Sequence, residues 1–127
     1  MTKLRILAAL VLSLVLPVAL PGPASADTVT FKIRSFAQYA VQVKFFSQNR
    51  NVQWPAVGRA FDLKDYKIHN IRLNCVAGEK ICYGAYLTGN AKRYWGVGAD
   101  GKQRCASCCI TCSPNGVSPV YDLNEKR

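Results

Sequence analysis

The stretch Arg72-Leu-Asn-Cys-Val-Ala-Gly-Glu-Lys-Ile-Cys-Tyr-Gly-Ala-Tyr-Leu87 carries the clearest fold signal in the chain. Two apolar-polar alternating runs flank Gly78-Glu79, and glycine at the first central position suits a type II′ turn between antiparallel strands. Counting outward from that turn sets Ala77 against Lys80, Val76 against Ile81, Cys75 against Cys82, Leu73 against Gly84 and Ile71 against Tyr86. One face then collects Ile71, Leu73, Cys75, Cys82 and Tyr86, and Arg72 and Asn74 lie on the other. Pattern and turn chemistry agree on a β-hairpin.

Working outward, the same period of two recurs. Val29, Phe31 and Ile33 alternate with Thr30, Lys32 and Arg34. Tyr39, Val41, Val43 and Phe45 then share a side. If these runs pair, Val29, Phe31 and Ile33 meet Val43, Val41 and Tyr39, keeping the apolar faces together. SQNRN (47–51) reads as a polar loop, and Trp54-Pro55 with Gly58 makes 52–60 an irregular edge or connection. DLKDYK (62–67) permits one helical turn. Across YKIHNIRLNC the apolar phase changes, from Tyr66 and Ile68 to Ile71, Leu73 and Cys75, and a β-bulge near His69-Asn70 reconciles the halves. TGNAKR, ADGK and SPNG are turns, YWGVG (94–98) is a short strand, and Val117–Leu123 closes the domain. The expectation is all-β: about seven short strands in a small β-sandwich or partly open barrel, stabilised by disulfides.

The N-terminus reads MTKLRILAALVLSLVLPVALPGPASA. Lys3 and Arg5 precede an uncharged run from Ile6 to Leu20, Pro21-Gly22-Pro23 breaks it, and Ala24-Ser25-Ala26 supplies a small-x-small site. That order predicts a secretory signal peptide over 1–26, cleaved after Ala26, with the single β domain over 27–127. The run falls short of a membrane span and Pro17 interrupts it, so no transmembrane anchor is expected after cleavage. The location implied is secreted or periplasmic. Without Lys3 and Arg5 the mature chain holds 15 Lys and Arg against 7 Asp and Glu, a net charge of +8. Such an excess suits anionic partners, either envelope components or glycans. Export and the lack of any recognisable motif argue against nucleic acid.

All six cysteines, Cys75, Cys82, Cys105, Cys108, Cys109 and Cys112, fall in the mature part. An even count in an exported chain implies disulfides, whose connectivity spacing does not select. A Cys75–Cys82 bridge across the hairpin and bridges from each to the CASCCITC cluster (105–112) both remain open. Cys105, Cys108, Cys109 and Cys112 also form two C-x-x-C pairs whose thiolates suit zinc or an iron–sulfur cluster. The pairs abut, however, where zinc modules separate them by a dozen or more residues. C-x-x-C is also the dithiol motif of redox proteins, but the helix and βαβ setting that usually activate it are not visible.

No G-x-S-x-G, H-E-x-x-H or phosphate-cradling motif occurs. His69 is the single histidine, and Asp62 and Asp65 form a close acidic pair, read as a cap or solvated loop. An enzyme or toxin built around His69 is the minor alternative, no cofactor is implied, and the sequence favours a non-enzymatic binding or structural role. Trp54, Lys92, Arg93, Tyr94 and Trp95 combine aromatic faces with cations and are the candidate binding surface, weighed against simple core packing. The constellation FFSQNR…WP…C…GEKICYGA…YWGVG…C-x2-CC-x2-C resembles a group of small, exported, cysteine-rich bacterial proteins of unassigned function. The resemblance spans 29–112. It implies an exported bacterial protein and assigns no activity, ligand or catalytic residue.

Overall fold

The computed structural model describes residues 13–18 and 26–125. Residues 13–18 carry no regular structure, and the rest of the expected signal peptide, Ala26 excepted, lies outside the described residues. No helix among the described residues is long and apolar enough to cross a membrane.

Among the described residues, nine strands form two packed sheets: β1 (Ala26–Ser35), β2 (Val41–Ser47), β3 (Gln53–Trp54), β4 (Phe61–Leu63), β5 (His69–Val76), β6 (Lys80–Leu87), β7 (Asn90–Gly96), β8 (Cys109–Thr111) and β9 (Gly116–Leu123). The three-stranded sheet runs β5-β1-β9, with β1 antiparallel to β5 and parallel to β9. The second sheet has β2 and β6 at its centre. Its edges are each shared by two short strands, β3 and β4 beside β2, and β7 and β8 beside β6. The all-β, disulfide-stabilised two-sheet architecture is therefore the one the alternation implies.

The pairing differs from the expected hairpin. β5 and β6 do not pair; they belong to opposite sheets. The tight turn exists, but one residue earlier: Glu79 N–H donates to the Val76 carbonyl at 2.9 Å, with Gly78 at φ 83°. Positive φ at the third turn position, after an ordinary Ala77, is the type II pattern and splays strands where types I′ and II′ would pair them. The chain crosses from one sheet to the other there. A sheet-crossing turn and a hairpin leave the same alternation on their flanks, so periodicity did not distinguish them.

The expected β1–β2 pairing fails for the same reason. The two strands face each other across the sandwich, with the Phe31 and Phe45 rings 4.6 Å apart. Val29, Phe31 and Ile33 on one sheet, with Val41, Val43 and Phe45 on the other, are all fully buried, so these face assignments hold. Tyr39 precedes β2 and is 64% exposed. No bulge occurs at His69-Asn70, because β1 and β5 pair without a break from Ala26↔Val76 to Ile33↔His69. Tyr66 and Ile68 lie before the strand and point to solvent, which accounts for the phase change. The expected helical turn at DLKDYK is instead β4 followed by bends.

The register does shift between β1 and β9, at Thr30–Lys32. There the buried Ser118 hydroxyl accepts from Lys32 N–H at 2.9 Å and donates to the Pro119 carbonyl at 2.7 Å. A side chain thus replaces the ladder partner that the irregularity removes.

The central strand β6 is covered on both faces. Ile81, Ala85 and Leu87 face the core. Cys82 and Gly84 face the other way, beneath the segment that links β7 to β8. A Cβ on Gly84 would overlap the Gly98 carbonyl and stand 3.1 Å from the Phe46 ring, so only glycine admits this layer. The same segment buries Phe46, which explains two consecutive buried phenylalanines in a strand that otherwise alternates.

Candidate functional site

The hairpin that does form joins β6 to β7 through Thr88-Gly89, with Leu87 opposite Asn90 and Tyr86 opposite Tyr94. It carries four of the five expected surface residues to one place. Lys92, Arg93, Tyr94 and Trp95, together with Gly96, Arg104, Cys105 and Asn124, line an open groove of about 500 Å³. Trp95 opposes Ala85, on the core side of the sheet. Its indole N–H donates to the Asn124 carbonyl at 2.7 Å and ties β7 to the end of β9 on the other sheet. Tyr94 lies on the alternate face and is 46% exposed.

Three cations line the groove with these two aromatics. Arg93 approaches Glu125 at 3.7 Å, an exposed pair that offsets part of its charge. Lys92 and Arg104 make no ion pair among the described residues. Arg104 was not singled out in the sequence. Its signal was its place immediately before Cys105, which lines the same groove. Trp54, the fifth expected residue, does not join the groove. It sits in β3 on the far edge of the sheet, paired with Phe45 and packed against the core.

The six cysteines form three disulfides, Cys75–Cys112, Cys82–Cys109 and Cys105–Cys108. The first links β5 to the chain just after β8 and ties the two sheets together. The second joins directly opposed residues of β6 and β8. The third closes one C-x-x-C loop at the groove wall. The hairpin bridge Cys75–Cys82 is excluded, since its strands diverge. With 38, 28 and 4 residues enclosed, the chain-entropy contributions are about 3.9, 3.6 and 1.9 kcal/mol.

The Sγ atoms of Cys82, Cys108 and Cys109 lie within 4.8 Å of one another. A cage of Cys105, Cys108, Cys109 and Cys112 is a different set, and a disulfide sulfur offers no thiolate to an ion. Cys112 is buried in its bond to Cys75, between the sheets.

His69 opens β5, and its Nε2 lies 2.7 Å from Asp65 Oδ1. That contact foremost, with the Lys67 N–H, holds the Asp65 pKa below the usual carboxylate value. Both side chains are partly exposed, and neither the basic groove nor the two smaller hollows are lined by His69.

Glu79, which the sequence placed in a turn, is 3% exposed and the most heavily bonded carboxylate. It accepts from Arg50 Nε at 2.6 Å and Nη2 at 2.8 Å, from the Ser47 hydroxyl at 2.5 Å and from Val76 N–H at 3.0 Å. Arg50 foremost, then Ser47 and Val76, hold its pKa down at about 2 against the opposing effect of burial. Every strong contact is accounted for, and the cluster clamps the 47–51 loop to the sheet-crossing turn. It is a structural group.

By fold, then, the chain belongs among small all-β domains with two packed sheets and internal disulfides. Comparison with family models, curated proteins and solved structures gives no match.

Proposed function

We propose that the chain is an exported, non-enzymatic binding domain whose basic groove takes an acidic glycan of the cell envelope or its surroundings. The observation that carries this reading is the convergence of Lys92, Arg93 and Arg104 around Tyr94 and Trp95 in one open groove. An aromatic face stacks on the apolar side of a sugar ring, and flanking cations meet its carboxylate or sulfate. The groove lies in the size range of small-ligand sites. The leader-like N-terminus and net positive charge of the mature chain support the same setting.

Titration calorimetry with a uronic-acid oligosaccharide at low ionic strength tests this reading. Binding should weaken steeply with added salt. Arg104→Gln should cost about fivefold in affinity, the scale of one charge-assisted contact. Anionic lipid vesicles form the second arm. Binding to vesicles alone would reassign the groove to a lipid surface, and binding to neither probe would end the proposal.

A further inference from the structure

We infer that Cys105–Cys108 is a thiol–disulfide exchange site that receives anionic thiols through the basic groove, while the other two bridges remain closed staples. The inference shares cations with the glycan reading but does not rest on it. Exchange begins when a thiolate reaches one sulfur of a disulfide, so access decides which bridge opens. Cys75–Cys112 is buried at both cysteines, while Cys82–Cys109 and Cys105–Cys108 each pair one buried with one part-exposed cysteine, so the groove and not burial alone separates the last two. Cys105, by contrast, lines the groove, and Cys108 lies behind it at 3% exposure. The attack is therefore directed at Cys105.

Charge sets the preferred reagent. Lys92 and Arg104, which line the groove with Cys105, make no ion pair among the described residues, and Arg93 is partly offset by Glu125. A concave basic site raises the local concentration of anions. The cations also stabilise the thiolates that exchange produces. In the first step the incoming thiolate bonds to Cys105 Sγ, the Cys105–Cys108 bond breaks, and Cys108 leaves with the electron pair. A second thiol then attacks the reagent sulfur of this adduct. It departs as the reagent disulfide, leaving both cysteines reduced by two electrons in all. The short bridge encloses only four residues, and Cys75–Cys112 keeps the two sheets tied through the cycle.

The test treats the unreduced native protein with mercaptoethanesulfonate, 2-mercaptoethanol or cysteamine at equal thiolate concentration. Alkylation at timed intervals and peptide mapping follow. The expected first product carries the reagent on Cys105 and the alkyl label on Cys108, with the other two bridges intact. At low ionic strength the sulfonate should react about fivefold faster than cysteamine. That ratio should fall toward one in 0.5 M salt and in Arg104→Gln. First opening of Cys82–Cys109 or Cys75–Cys112, simultaneous loss of all three bridges, a first adduct on Cys108, or equal rates for the three reagents would each overturn the inference.

Discussion

Replacing Glu79 by glutamine removes one charge from the turn where the chain changes sheets, with almost no change in volume. In the native protein that carboxylate holds two guanidinium N–H groups, one hydroxyl and one backbone N–H, and is almost fully buried. Its pKa is lowered from 4.5 to about 2. At about 1.4 kcal/mol per tenfold in acidity, that corresponds to roughly 3 kcal/mol in favour of the folded state at neutral pH. Arg50 is 42% exposed, so water screens part of this, leaving about 2 kcal/mol. A domain of this size then loses roughly 10 °C in melting temperature. The pH dependence has a definite sign. Because the folded pKa is depressed, the stabilisation is complete above the unfolded value of 4.5 and disappears as the pH falls toward 2. Thermal unfolding of both proteins with disulfides intact, followed by near-ultraviolet circular dichroism from pH 7 to pH 2, measures it. The gap should be widest at pH 7 and close below pH 3. Equal melting temperatures at pH 7, or a gap independent of pH, would refute the reasoning.

Other substitutions probe separate parts of the fold. Gly84→Ala places a methyl group into the Gly98 carbonyl and the Phe46 ring, and should cost about 2–3 kcal/mol in urea unfolding. Ser118→Ala strands the Lys32 N–H at the β1–β9 irregularity and should cost about 1–2 kcal/mol, with locally faster hydrogen exchange at Lys32. Replacing Cys75 and Cys112 together by alanine should cost about 4 kcal/mol in chemical denaturation. The Cys105, Cys108 double alanine variant should cost about half of that, as loop length dictates. His69→Ala should leave glycan affinity unchanged, because the residue lies outside the groove wall.

Particular residues show where sequence reading succeeds and where it stops. Alternation identified the buried faces of β1, β2 and β5, because burial on one side of a strand is a local property with period two. Partners are not local. Ile71, Leu73 and Cys75 alternate identically whether β5 meets β6 in a hairpin or faces its sheet across the core. Only the backbone at Ala77-Gly78 separates the two arrangements. Phe46 escaped periodicity, since a distant loop covers it from outside. Cys82 and Tyr86, which the hairpin register set on the apolar face with Ile71, Leu73 and Cys75, lie on the side of β6 away from the core. The groove was legible in part. Lys92 to Trp95 are contiguous on one strand, while Arg104 and Asn124 arrive from loops whose docking depends on disulfides and on the Trp95 indole. Trp54 shows the converse: of its two readings, binding surface or core packing, the edge strand realises the second by turning it onto the core.

The sheet change at Ala77-Gly78 positions everything else, including the bridge that leaves Cys105 at the groove. Proteolysis of the unreduced protein followed by mass mapping of cross-linked peptides tests it directly. Peptides joining Cys75 to Cys112 and Cys82 to Cys109 are expected. A peptide joining Cys75 to Cys82 would restore the hairpin and contradict the two-sheet arrangement described above.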